Sequence, residues 1–408
     1  MDLSSFKDLA RRVSFFRSYS SLVLPAVIAM VAVVILVLSL LMGSKLKEQI
    51  ETESISSGAR QIESQSSGAI PRDQWKLEQQ YQKKHEEDFN QISLFVKQTT
   101  QRELLSYKVF PEPKDKSILI FEEFGRNFYK GIDGLIAGVA GQDCPTEAEL
   151  ERRLKGYVSS RSRGRRRNLR SMSQDDISST IIDEICLARA ESACVYVNLA
   201  DIPGYEYWQE YEYVGVDKAV QDCWYGQLAY WIIEDVFQTI ASANSNSESV
   251  LKSPVKRLMG IGFSSEKSRR GQEVPNYVLS IDDGLTEPHT GRFCNDEIDV
   301  VHFTISVVVE TKAVFRFMQE LCSGKEHKFK GYSGQGREQT FRHNQITILN
   351  TAIVSIDPKA PDYEETHGLY RYGEQPVVKL DMACEYIFNK QGYEQIQPEQ
   401  VKQLAEEK

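Results

Sequence analysis

The chain has 408 residues, 41% of them hydrophobic and 26% charged, the ordinary balance of a globular protein. A formal net charge of −9 argues against a general nucleic-acid binder, although one local stretch reverses that sign. The seven cysteines form no C-x-x-C pair, which disfavours a zinc ribbon or a thioredoxin-type site.

Residues 1–21 form a short arm carrying Lys7, Arg11, Arg12 and Arg17 against Asp2 and Asp8. From Leu22 to Leu41 the chain is apolar, interrupted only by Pro25 and Ser39. At about 1.5 Å per residue this run spans about 30 Å, the hydrocarbon thickness of a bilayer. It is longer than the core of a signal peptide and ends in Leu-Met-Gly-Ser-Lys, without a small-residue cleavage site. Residues 22–42 are therefore expected to be an uncleaved transmembrane helix. The cationic arm before it, against Lys45 and Lys47 after it, places the N-terminus in the cytoplasm. In a bacterium with two membranes, the remainder then lies in the periplasm behind a single inner-membrane span.

Residues 43–110 read as a stalk. "SISSGARQIESQSSG" is polar and serine-rich, and after Pro71 a helical stretch runs from about Asp73 to Tyr107. Its apolar residues Trp75, Tyr81, Phe89, Ile92 and Val96, with Thr99, fall roughly on one face that His85 and Asp88 interrupt, a pattern that admits a coiled coil with a partner without holding a clean heptad repeat. Residues 111–193 are mixed: "FEEFGRNFYKGIDGLIAGVAG" suggests a short helix and a loop, and Thr146 a helix cap ahead of Glu147 and Glu149. Six arginines fall between Arg161 and Arg170, among them Arg163, Arg165, Arg166 and Arg167. With no aromatic residue in the block to stack on bases, it reads as a solvated loop or an acidic-protein contact.

The rest alternates strand and helix. In residues 194–281, "CVYVNLA" is a short strand, Val216 to Ala243 a helix with an apolar stripe, and "PVKRLMGIGF" a second strand. In residues 298–390, Val301 to Val309 form a strand and Val314 to Leu321 a helix. After a Gly/Lys-rich loop (Cys322–Asn344), strands follow over Ile346–Ile356 and Val378–Phe388, the latter with Lys379, Asp381 and Glu385 on a wet face. The fold class is α+β: two strand–helix–strand units with antiparallel sheets, then a tail, 391–408. Cys223, Cys322 and Cys384 sit inside apolar patterns and read as buried, reduced side chains.

Chemistry is sparse. The six histidines (85, 289, 302, 327, 343 and 367) form no H-E-x-x-H, and there is no G-x-S-x-G or phosphate loop. "GYSGQGRE" reads as a hairpin connection. The acidic loop from Asp282 to Asp299 holds many ligand types at no recognised metal spacing. No cofactor, metal or catalytic residue is expected. Tyr205, Tyr207, Trp208, Tyr211 and Tyr213 form an aromatic cluster suited to a protein interface or a ligand, or else to packing between strand and helix.

An arm, an anchor, a stalk and compact α+β units resemble the PilN/PilO class of type IV pilus inner-membrane proteins and the type II secretion M and L proteins. The resemblance is nearest to a larger PilO-like group and rests on "WIIEDVFQTIASAN", "SPVKRLMGIGF", "VVHFTISVVVETKAVFRFMQEL" and "YRYGEQPVVKLDMACEYIF". It implies ferredoxin-like units, a non-catalytic scaffold, and homo- or heterodimers with PilN-like or PilM-like partners. PilO relatives are about half this length, so the Arg-rich region, the first unit and the Cys322–Asn344 loop depart from the pattern. Two rivals are a ligand sensor using residues 205–213 and an anchored hydrolase in which His289, His302 or His343 meets Asp or Cys.

Overall fold

The structure is a computed structural model that describes residues 20–49, 72–161, 174–263, 272–280 and 290–406. The chain divides into two compact units, Met1–Asp88 and Phe89–Lys408. In the first, helix α1 (Ser20–Gln49) contains the segment Val27–Lys47, long and apolar enough to cross a membrane. Its apolar side chains are exposed all round, from Val27 to Met42. Helix α2 (Arg72–Gln98) ends nine residues earlier than the apolar pattern suggests. Thr99 turns its hydroxyl back to the Val96 carbonyl at 2.6 Å, and the chain leaves the helix to bury Thr100 and Arg102.

The larger unit continues with α3 (Ile118–Gly138), β1 (Gly141–Gln142), α4 (Glu147–Arg161), α5 (Gln174–Ser192), β2 (Val195–Val197), α6 (Tyr205–Gln209), α7 (Val216–Ala243) and β3 (Val255–Gly262). Then come β4 (Ile298–Glu310), α8 (Val314–Leu321), β5 (Lys325–Phe329), β6 (Gln339–His343) and β7 (Ile346–Ser355). The last elements are α9 (Tyr363–His367), β8 (Val377–Asn389), α10 (Lys390–Tyr393) and α11 (Glu399–Glu406). Helix α7 has the expected bounds. Helix α3 is longer than the expected short helix, because Ile120, Phe121, Phe124, Phe128 and Ile132 repeat at helical spacing and are buried despite the glycines among them. Thr146 caps α4 as expected, accepting from the Glu149 amide at 3.2 Å.

The fold is α+β, and both strand–helix groups enter one mixed sheet of order β1-β2-β3-β4-β8-β7. β1, β2 and β3 are parallel, with α6 and α7 crossing between β2 and β3, and the other pairings are antiparallel. The central pair β4–β8 runs without a register break from Ile298↔Asn389 to Glu310↔Val377. The Cys322–Asn344 segment is not a plain loop: β5 and β6 pair as a separate hairpin. Its connection takes Gly331 and Gly334 into positive φ, which glycine adopts without strain.

The main core lies between one sheet face and α3, α6, α7 and α8. Phe303, Ile305, Val307, Leu380 and Met382 meet Trp224, Leu228, Ile232 and Val236 there. A smaller cluster, Ala190, Tyr196, Val308, Tyr370 and Tyr372, covers part of the other side. All seven cysteines are free thiols; Cys223 and Cys384 are buried as expected, whereas Cys322 is half-buried.

Close packing at the end of β8 gives a first prediction. A Cβ on Gly392 would lie 2.5 Å from Thr100 Oγ1 and 2.6 Å from the Lys97 carbonyl, whereas one on Gly134 would meet nothing within 4 Å. Gly392→Ala is expected to cost about 1–3 kcal/mol. Gly134→Ala in the exposed face of α3 is expected to stabilise by about 0.5–1 kcal/mol. Thermal unfolding of the two variants in parallel reads both signs.

Candidate functional site

Asp235 sits on α7 among apolar neighbours, and its carboxylate is fully buried. Arg102 reaches it from the segment that follows α2. Its guanidinium donates to Asp235 Oδ1 at 2.9 Å and Oδ2 at 3.2 Å, to Glu234 Oε2 at 2.6 Å and to Tyr386 Oη at 2.8 Å. Tyr386, on β8, donates its own proton to Asp235 Oδ2 at 2.7 Å. From the end of β6, His343 places Nε2 at 2.7 Å from the same oxygen.

The hairpin adds a second imidazole. His327 Nε2 on β5 faces the carbonyl oxygens of Gln98 (3.2 Å) and Gln101 (3.0 Å), so this nitrogen carries the proton. Its Nδ1 is then an acceptor, and His343 Nδ1 donates to it across 2.8 Å. All four ring nitrogens therefore have partners within the network. The surrounding backbone is tied in as well. Leu105 N–H donates to Gln227 Oε1 at 2.8 Å, Trp231 Nε1–H to the Glu103 carbonyl at 3.0 Å, and Glu103 N–H to Lys328 O at 3.1 Å. A cavity of about 400 Å³ opens beside the network, lined by Glu103, Tyr230, Glu234, Gln238 and His327.

Burial alone would push the Asp235 carboxyl up, but Arg102 and His343 outweigh it and hold it well below the usual carboxylate range. Burial, then Arg102 and His343, hold His327 down to about 3. Burial drives the Tyr386 phenol far up, and Asp235 adds to the effect.

Further buried charges also have partners. Lys256 donates to the carbonyls of Val250 (2.9 Å) and Leu251 (3.0 Å) and meets Glu310 at 3.1 Å. Lys325 donates to the carbonyls of Glu320 (2.6 Å) and Leu321 (3.0 Å) at the C-terminus of α8, where the helix dipole favours a cation. Glu385, expected on a wet face, is fully buried: the 290–292 segment crosses over it and brings Arg292 and the Thr290 hydroxyl to its carboxylate.

The aromatic cluster packs against the helix layer. Tyr205 and Trp208 are buried; Tyr207, Tyr211 and Tyr213 are half-buried. Trp208 packs on Phe124 with ring centroids 5.0 Å apart, and Tyr213 stacks on Phe121 at 5.8 Å. The Tyr205 and Tyr207 hydroxyls donate to Asp133 and Asp222, each at 2.9 Å. Arg163, Arg165, Arg166 and Arg167 lie outside the described residues, as do Asp282, Asp283, Glu287 and His289 of the acidic loop. In the described part of that loop, Asp299 is buried against Tyr393 and Lys390. Among the described residues no cluster of His, Cys, Asp and Glu has the arrangement of a metal site. Of the histidines suggested for a hydrolase, His343 does meet a carboxylate, Asp235. His302 lies on β4 opposite Glu385.

Beside His343, for which the sequence suggests a contact with Asp or Cys, the network's sequence signal is Asp235, an acidic residue on the apolar face between Trp231 and Thr239 of α7. Nothing comparable marks Arg102 or His327.

No family model matches the chain, and no curated protein matches it. Three solved structures from Akkermansia muciniphila are similar to it. One crystal structure is 8% identical and covers 60% of this chain and 97% of its own, at a TM-score of 0.23. A core-domain crystal structure is 10% identical over 66% of this chain and 98% of its own, also at 0.23. A third, solved without its transmembrane region, is 10% identical over 64% and 97%, at 0.22. Likeness at this level supports no statement about fold or function.

Two outcomes follow from the network. Asp235→Asn removes the charge that balances Arg102 in the core, and the chemical-denaturation midpoint is expected to fall by the equivalent of about 3–5 kcal/mol. The second concerns pH. Folded His327 stays neutral, whereas the unfolded chain takes up a proton below its ordinary value of 6.5. Stability that is full above pH 6.5 is therefore lost as pH falls toward about 3, with Asp235 adding a further loss below its ordinary 3.8. Urea midpoints between pH 7 and pH 4 should fall, and His327→Gln should flatten that slope.

Proposed function

We propose that the protein is a non-catalytic, membrane-anchored scaffold of a type IV pilus or type II secretion-like machine, with a PilO-like role. Its N-terminal arm is cytoplasmic, α1 crosses the inner membrane once, and the α+β unit lies in the periplasm. There it pairs with a PilN-like or PilM-like protein or with a second copy, and links the inner-membrane platform to periplasmic components.

The observation that carries this reading is the uncovered apolar face of α2. Trp75, Tyr81, Phe89, Ile92 and Phe95 are 52–70% exposed on a helix that is otherwise strongly polar. Phe89, Ile92 and the half-buried Val96 follow one another at the a/d spacing of a paired-helix seam, and Trp75 stands two heptads before Phe89 with polar Glu78, Gln82 and His85 at the seam positions between them. Large apolar side chains in such a row are costly to leave in water, by roughly 1.5–3 kcal/mol for each that a partner would bury. Supporting it are the apolar length of α1 and the engagement of all four imidazole nitrogens in the buried network within the fold.

Phe89→Lys combined with Ile92→Lys tests the reading in the full-length, membrane-inserted protein. Both side chains are exposed, so thermal unfolding of the α+β unit is expected to stay within about 0.5 kcal/mol of wild type. Crosslinked membranes are expected to yield pilus or secretion-platform proteins with the wild type and at least tenfold less with the variant. Equal recovery from both would remove α2 as the pairing element.

A further inference from the structure

The six-stranded sheet ends at β7, which is hydrogen-bonded on one side to β8 and on the other to no described backbone segment. Exposed edges of this kind usually carry lysine, inward-pointing charge or proline, which block pairing with another chain. Ile346 to Ser355, "ITILNTAIVS", contains no charged residue and no proline. Its one irregularity, a register shift between Ile348 and Asn350, leaves Asn350–Ser355 in unbroken register with β8.

This regular part also carries uncovered apolar side chains on both faces. Ile353 is 54% exposed although it lies beside Leu380, a fully buried core residue, on the helix-covered side of the sheet. Val354 is 52% exposed beside Lys379 on the other side. The apolar row that starts in the core therefore runs out into solvent at the edge.

We infer that β7 pairs antiparallel with β7 of a second copy of this chain, joining two sheets into one across a two-fold axis at Ile353. In a continuous antiparallel sheet, directly opposite residues lie on the same face, so such an axis must pass through a residue and not between two. Centred on Ile353, the pairing sets Ile353 opposite Ile353, Ala352 opposite Val354, and Thr351 opposite Ser355. These are apolar and hydroxyl pairs of the kind that stabilise adjacent strands. On the core side, Leu380 and Ile353 of one copy continue directly into Ile353 and Leu380 of the other.

On the open side, Ala352 stands beside Asp381 and Val354 beside Lys379. Each row across the axis then runs Asp381, Ala352, Val354, Lys379, ending in opposite charges on the two copies. Centring on Ala352 instead would set Asn350 against Val354 and Thr351 against Ile353, a poorer match. The contact is small for a stand-alone dimer. Holding both copies on one membrane through α1 supplies the effective concentration that it needs.

Cysteine crosslinking reads the register directly. Full-length Ile353→Cys in membranes, treated with copper phenanthroline in air, is expected to give a disulfide-linked dimer on a non-reducing gel. The untreated-cysteine background of wild type and the off-axis Val354→Cys are each expected to give at least fivefold less. Ile353→Lys, which sets like charges opposite one another, is expected to speed amide exchange of residues 350–355 at least tenfold while leaving β4 protected. Absence of an Ile353→Cys dimer, or equal crosslinking of all three proteins, overturns the pairing. So does a crosslinked species whose mass includes another protein, because the edge would then belong to a different partner.

Discussion

The fold is organised around one buried charge. Asp235 lies inside α7, where the apolar stripe would otherwise place an aliphatic side chain, and four groups from three other parts of the chain converge on it or on its neighbour: Arg102, Tyr386, His343 and, through His343, His327. Removing a carboxylate from water costs several kcal/mol, and only complete pairing recovers that cost. Such a cluster contributes little net stability compared with an apolar core of the same volume. Its effect is on mutual dependence: the segment after α2, the β5–β6 hairpin, α7 and β8 each supply hydrogen-bond partners that the others need.

The same accounting explains why some elements were legible in the sequence and others were not. Helix α7, helix α8 and the strands β4, β7 and β8 follow from the 3.6- and two-residue periods of their apolar residues, and their observed bounds lie within three residues of those periods. What periodicity cannot convey is which strands are neighbours. Two strand–helix groups read in succession look like two sheets, yet β3 and β4 pair directly and merge them. The end of α2 was also hidden. The apolar residues Leu104 and Leu105 beyond the polar stretch 97–103 suggest a continuing helix, whereas the chain leaves the helix after Gln98 and Arg102 pairs with Asp235, more than a hundred residues away.

The side-chain sites divide the same way. The aromatic residues 205–213 could be read equally as a surface or as packing, because a tyrosine can bury its ring and leave its hydroxyl on an aspartate; Tyr205 and Tyr207 do this with Asp133 and Asp222. Glu385 alternates with core residues and so reads as solvent-facing. Only the crossing of residues 290–292, a contact distant in sequence, shows that its face is covered. In each case the local pattern states which side of an element a residue occupies. It says nothing about what a remote segment lays over that side.

The anchoring of Arg102 has a mechanical meaning as well. The backbone entering the α+β unit after Gln98 passes no terminal strand that could be peeled away one hydrogen bond at a time. Its first firm attachments are the Gln98 and Gln101 carbonyls on His327 and the guanidinium on Asp235, Glu234 and Tyr386. Tension arriving along the chain at this point is shared at once between a hairpin, a helix and strand β8. The pull therefore reaches the sheet through side-chain bonds to the inside of the fold and not through the end of a strand. For a domain joined to the rest of its chain at this end, that attachment resists steady force better than an edge strand would.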